Sequence, residues 1–111
     1  MKHSLVIKRK PKAKGRPRAG RHGMYTDKAT REYEQSIRDA YVQSGGPLFE
    51  GPVTVIAVFS KDSIGITIKA ANDTSSLRGD VDNYIKSIMD GLNGVAYLDD
   101  GQVINIKGHK R

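Results

Sequence analysis

The chain reads as a single α+β domain, a mixed β-sheet with two helices packed on it in the order β-α-β-β-α-β. Three observations predict this. Apolar residues recur at helical spacing in two segments, near 29–41 and 81–92. Four other segments are β-branched or alternate between apolar and polar residues. The chain has 111 residues and no cysteine, and a chain of this size buries about 60–70% of its unfolded surface. One core without disulfides is therefore enough, and residues 1–111 form one domain by length.

Each element has its own signal. Residues 4–8 read as a short strand. Residues 9–24 carry Pro11, Pro17, Gly15, Gly20 and Gly23 among bases and predict an irregular basic loop. Thr26 is placed to cap a helix starting at Asp27. In that helix Ala29, Tyr33, Ile37, Ala40 and Tyr41 form one stripe, and Gly45-Gly46-Pro47 ends it. Tyr33 and Tyr41 are expected in the core or at a dimer contact. Residues 52–60 are apolar on both faces, as in a central strand. Ile64, Ile66 and Ile68 alternate with Gly65, Thr67 and Lys69, which suggests a hairpin partner with one face exposed. Val81, Tyr84, Ile85, Ile88, Met89 and Leu92 keep the helical period until Asn93-Gly94. Residues 102–107 predict a last strand.

Composition narrows the function. Without cysteine, thiol catalysis and zinc–thiolate sites are excluded. The longest apolar run, Val53 to Phe59, is much too short to span a membrane. Ser4 to Ile7 is too short for a signal-peptide apolar region. A cytoplasmic protein is expected. Net charge is +7 and uneven: residues 1–22 hold nine bases and no acid, while residues 23–111 hold 10 bases and 12 acids. A cationic segment on a near-neutral fold points to a polyanion, most often nucleic acid. The bland alternative is a solvated tail.

The acids are the most specific feature. Asp82, Lys86 and Asp90 share one helix face, apart from the apolar stripe. Asp80 stands just before that helix, and Asp99-Asp100 follow one helix length later. An all-oxygen donor set suits Mg²⁺ or Mn²⁺, and either Asp99 or Asp100 could complete a site with Asp80 and Asp82. Such a site would hydrolyse phosphodiesters, with Lys86 neutralising charge. The structural alternatives are ordinary: Asp80 as helix cap, Asp82 paired with Lys86, and Asp99-Asp100-Gly101 as a turn. An EF-hand is excluded, because Tyr84 and Ile85 stand where its loop needs Asp or Asn and then Gly.

The run Asp80-x-Asp82-Asn83-x-x-Lys86, then Asp90-x-Leu92, then Tyr97-Leu98-Asp99-Asp100-x-Gln102-Val103, resembles the RusA family of Holliday-junction resolvases. The segment Pro11-x-x-Lys14-x-Arg16-Pro17-Arg18 and the tyrosine-bearing helix after it are similar too. The resemblance implies a homodimeric, Mg²⁺-dependent endonuclease, with Mn²⁺ as a substitute. It would cut four-way DNA junctions by paired symmetric nicks in recombination and repair, in a bacterium or a phage. It carries the essential carboxylates onto Asp80, Asp82 and Asp100 and the lysine onto Lys86, and leaves Asp99 as a further candidate ligand. Family members usually continue past the Gln-Val strand, whereas this sequence stops at His109-Lys110-Arg111. That implies a shorter sheet edge or a trimmed chain. Two competing readings are a non-catalytic nucleic-acid binder and a metal nuclease for another branched DNA.

Lys8, Lys10, Lys12, Lys14, Arg16, Arg18 and Arg21 are the expected DNA contacts, through phosphate clamping. Lys14-Gly15-Arg16-Pro17-Arg18 also resembles a minor-groove AT-hook core, a weaker reading for a single copy. Tyr25 is expected to pack at the helix entry, with base stacking as the alternative. His22 is a phosphate contact when protonated, and His3 and His109 read as solvated ends.

Overall fold

The computed structural model describes residues 1–13, 18–20, 23–25 and 27–111, with backbone only for 18–20 and 23–25. The elements are β1 (Lys2–Ile7), β2 (Arg18–Gly20), β3 (Gly23–Tyr25), α1 (Lys28–Gln43), β4 (Val53–Phe59), β5 (Ile64–Ala70), α2 (Val81–Leu92) and a 3₁₀ turn, Asp100–Gln102. They fall into two compact units, residues 1–71 and residues 72–111. The α+β class holds, as a three-stranded sheet with two helices.

In the first unit the strand order is β1-β5-β4, and both pairings are antiparallel. The expected mixed sheet is thus corrected to an antiparallel one. The hairpin between 53–59 and 64–70 forms as the alternation suggested. The centre of the sheet is β5, however, and β4 is an edge strand whose seven residues are all exposed. An apolar run shows that a strand is favourable, but partner order depends on which distant strand arrives. Here β1 pairs with β5, from Lys2↔Lys69 to Ile7↔Ile64.

Alternation along β1 turns His3, Leu5 and Ile7 to one face. There Ile7, Ile64 and Tyr33 are buried, with Leu5, Ile37, Ala40 and Ile66 packed around them. Ile64 is 2% exposed, and full burial of such a side chain is worth about 1.5–3 kcal/mol. Tyr33 thus joins the core as its stripe position implied.

The ends of α1 explain its length. Asp27 is the N-cap, and its Oδ1 accepts from the Thr30 amide at 2.7 Å. Thr26, the expected cap, lies outside the described residues. At the other end the Gly45 amide donates to Val42 O and the Gly46 amide to Tyr41 O, with Gly45 at φ 75°. This pairing satisfies the last carbonyls and needs a left-handed residue, which glycine supplies without strain.

Two expectations fail in the flanking segments. The stretch 9–24 is not wholly irregular, since β2 and β3 pair antiparallel with Gly20 opposite Gly23. Residues 102–107 are no strand: the 3₁₀ turn ends at Gln102, and 103–111 have no ladder partner among the described residues. The second unit therefore holds α2, the 3₁₀ turn and a tail without regular structure.

Candidate active site

Within the second unit, α2 covers the segment its periodicity predicts. Asp80 takes the N-cap position with extended backbone, and its side chain makes no capping bond. The Asn83 and Tyr84 amides bond instead to its backbone carbonyl, at 3.1 and 3.2 Å. Asp82 lies in the first turn, where the helix dipole favours an anion. Asp80, Asp82 and Lys86 are exposed, and no ion pair joins Asp82 to Lys86 among the described residues. The two structural roles open to these acids are thus left unfilled, and both carboxylates stay uncommitted at one helix end.

The second acidic pair is divided by its hydrogen bonds. Asp99 caps the 3₁₀ turn, accepting from the Gly101 amide at 2.9 Å. Gln102 Oε1 closes the box by accepting from the Leu98 and Asp99 amides at 2.6 and 3.0 Å. Asp100 takes no part in that box and lies beside Tyr97. Its Oδ1 is buried without a hydrogen-bond partner, which costs about 1–3 kcal/mol for a neutral group and more for a charged one.

Asp100 lies beside Tyr97, whose hydroxyl donates to Met89 O at 3.1 Å. Loss of solvent is the first cause raising the Tyr97 hydroxyl above its ordinary value. The charge of Asp100, a side-chain hydrogen bond to it and the charge of Asp90 add to this. Four acids of this unit therefore fall into two sets, Asp80–Asp82 at the start of α2 and Asp90–Asp100 around Tyr97. At 1.5 Å per residue, Asp80 and Met89 are about 13 Å apart along the helix. Among the described residues, no three Asp, Glu or His side chains gather at one metal position.

The donor chemistry still fits a hard divalent ion. All available acids are oxygen donors, there is no cysteine, and Asp100 offers a desolvated oxygen in need of a partner. The tail adds contacts that sequence reasoning missed. His109 Nε2 bonds Asp73 at 2.7 Å, Lys110 Nζ donates to Gly79 O at 3.0 Å, and Ser75 Oγ donates to Arg111 O at 3.0 Å. His109 is therefore no free solvated end. Nor is His3, which bonds Ser44 Oγ at 2.8 Å and meets the Tyr41 ring edge-on. The Asp99-x-x-Gln102 spacing was a capping-box signal open to reading; the tail contacts had no local signal.

Of the expected DNA contacts, Lys8, Lys10 and Lys12 are exposed just after β1. Arg9 lies over the Tyr33 ring at 5.2 Å, a cation–π contact. Lys14, Arg16 and Arg21 lie outside the described residues, as does His22, and of Arg18 and Tyr25 only the backbone is described.

The family model for endodeoxyribonuclease RusA matches residues 9–111, which include both acidic sets and the basic segment. The chain belongs to this family. It is accordingly a nuclease of the kind that resolves Holliday junctions, and RusA nucleases are metal-dependent. No curated protein and no solved structure gives a significant match. No described helix is long and apolar enough to cross a membrane.

Proposed function

We propose that this resolvase works as a Mg²⁺-dependent homodimer that nicks four-way junctions symmetrically, with Asp80, Asp82 and Asp100 as metal ligands and Lys86 as the assisting cation. The observation that carries this reading is the uncommitted Asp80–Asp82 pair at the N-terminus of α2. The ion, when bound, supplies Lewis-acid polarisation of the phosphodiester and activation of water. Asp80 and Asp82 hold it at the helix end. Asp100, which lies beside Tyr97 in this structure, would be the third ligand. Ligation would relieve its unpartnered oxygen. Asp99 stays with the turn it caps. Lys86, one turn beyond Asp82 on the same face, faces the charge that grows on the phosphate.

The basic segment from Lys8 to Arg21 grips the DNA backbone and brings phosphates toward carboxylates that would otherwise repel them. A two-fold dimer matches a junction, which offers two equivalent strands to two equivalent sites. The setting is the cytoplasm of a bacterium or of a phage-infected host. The deciding experiment measures nicking of a synthetic four-way junction with and without Mg²⁺, for wild type and Asp82→Asn. Loss of cleavage with retained binding is expected. Unchanged cleavage in the variant would sink the ligand assignment. Salt-sensitive binding with no metal-dependent cleavage in wild type would favour the non-catalytic binder, and a panel of flaps and forks separates the other branched substrates.

A further inference from the structure

The backbone that delivers Asp80 is held from both sides. Gly79 directly precedes it. The Gly79 amide donates to Tyr84 Oη at 3.3 Å, and the Gly79 carbonyl accepts from Lys110 Nζ at 3.0 Å. The space between is closed, since a Cβ at Gly79 would stand 2.9–3.0 Å from the Tyr84 ring. Tyr84 belongs to α2, so one arm of this clamp is rigid. The other arm is anchored by its neighbours, His109 on Asp73 and the Arg111 carbonyl on Ser75.

Lys110 differs from the exposed Lys8, Lys10 and Lys12 of the basic segment. It is half-buried, and its ammonium is directed at a carbonyl and not at an acid. The carbonyl it holds belongs to the peptide that joins Gly79 to Asp80. Fixing that peptide plane fixes the Asp80 backbone. Asp80 makes no capping bond with its own side chain, so this peptide is what fixes the Cα–Cβ bond from which its carboxylate reaches.

We propose that Lys110 and Tyr84 are positioning residues that aim the Asp80 carboxylate at the metal by clamping Gly79. This rests on the reading that Asp80 is a ligand. The clamp acts on the ligand as hydrogen bonds to metal-bound side chains do elsewhere, where removal costs about 10–100-fold in metal affinity.

The test reads Mn²⁺ affinity of the DNA-free protein by electron paramagnetic resonance titration, for wild type, Lys110→Met, Lys110→Arg, Tyr84→Phe and Asp80→Asn. Thermal melting is followed in parallel. Lys110→Met is expected to weaken Mn²⁺ binding by about tenfold, and Lys110→Arg, which keeps a donor, to restore most of it. Tyr84→Phe is expected to weaken binding by a few-fold at nearly unchanged melting temperature. The sign discriminates: if Lys110 acted only as a nearby positive charge, Lys110→Met would bind Mn²⁺ more tightly. Tighter or unchanged binding in Lys110→Met, with binding abolished in Asp80→Asn, overturns the clamp and leaves the ligand reading intact. Unchanged binding in Asp80→Asn overturns the ligand reading itself. Should Lys110→Met fail to fold, Tyr84→Phe and Lys110→Arg decide, and wild-type affinity in Tyr84→Phe overturns the clamp.

Discussion

The two acidic pairs look alike in the sequence and differ in the fold. In Asp80–Asp82 neither carboxylate makes the cap bond or the helix ion pair that its position offers. In Asp99–Asp100 the first acid is committed to a capping box and the second holds an oxygen with no partner. An acid that caps a turn stabilises the fold, while a carboxylate oxygen left without a partner, in a basic DNA nuclease, is available for a cation. This rule separates Asp99 from its neighbours, although spacing alone treats it as their equal.

The comparison can be broken most directly at the first pair. Asp80→Asn and Asp82→Asn should each lower metal-dependent nicking by at least about 100-fold. Junction affinity, measured by gel shift, should hold or rise, because a charge that repels phosphate is gone. Equal loss of binding would return these acids to a structural role.

The second pair offers a sharper contrast within one turn. Asp100→Asn should cost activity to a similar degree while leaving stability unchanged or raising it by up to about 1 kcal/mol, since the charge on a carboxylate whose Oδ1 is buried without a partner is removed. Asp99→Ala should do the reverse, lowering stability by about 1 kcal/mol with cleavage kept within a few-fold. Urea unfolding beside nicking assays distinguishes the two. If Asp99→Ala abolishes cleavage in a well-folded protein, the division of labour is wrong.

The basic segment is a control for both pairs. Replacing Lys8, Lys10 and Lys12 by alanine should lower the slope of log affinity against log salt by up to about 3 on duplex arms. The Asp→Asn variants should leave that slope unchanged. A fall in nicking rate at saturating DNA in the lysine variants would place these bases nearer the chemistry than the phosphate reading allows.

A third kind of acid gives the smallest expected effect. Asp73 is paired, and its pKa is held below the ordinary value, first by the His109 hydrogen bond, then by its own backbone, with the charges of His109 and Arg111 adding to this against partial desolvation. A depressed carboxyl pKa stabilises the fold above the unfolded value near 3.8, and that contribution disappears as pH falls through the folded value. The melting temperatures of wild type and Asp73→Asn should therefore differ slightly at neutral pH, begin to approach each other near pH 3.8, and converge only once pH has fallen below the still lower folded value. A difference that persists there would mean that the tether does not depend on the charge of Asp73.

Much of this was legible from residue order. The span of α2, its apolar stripe and the separate face with Asp82 and Lys86 come from a period of 3.6, which is a property of neighbours along one segment. The hairpin of 53–59 with 64–70 comes from alternation and a short loop. The motif pairing Asp80-x-Asp82-Asn83 with Leu98-Asp99-Asp100-x-Gln102 carried the family. Less legible was 102–107, whose apolar alternation signals a strand only if an edge comes to meet it. Equally hidden was the short pair β2–β3, because prolines and glycines mark a break in regular structure without specifying a hairpin within it.

Local pattern thus determined both helices and the strands β1, β4 and β5, where the bases concentrate and which acids are candidates. Tertiary structure decided that β5 and not β4 is central, that Asp99 is committed while Asp100 is not, and that Lys110 turns inward to Gly79. The reason is range. Periodicity and capping act over about one helical turn, whereas strand order, burial of one carboxylate oxygen and a lysine–carbonyl bond across 31 positions depend on segments that meet only when the chain folds.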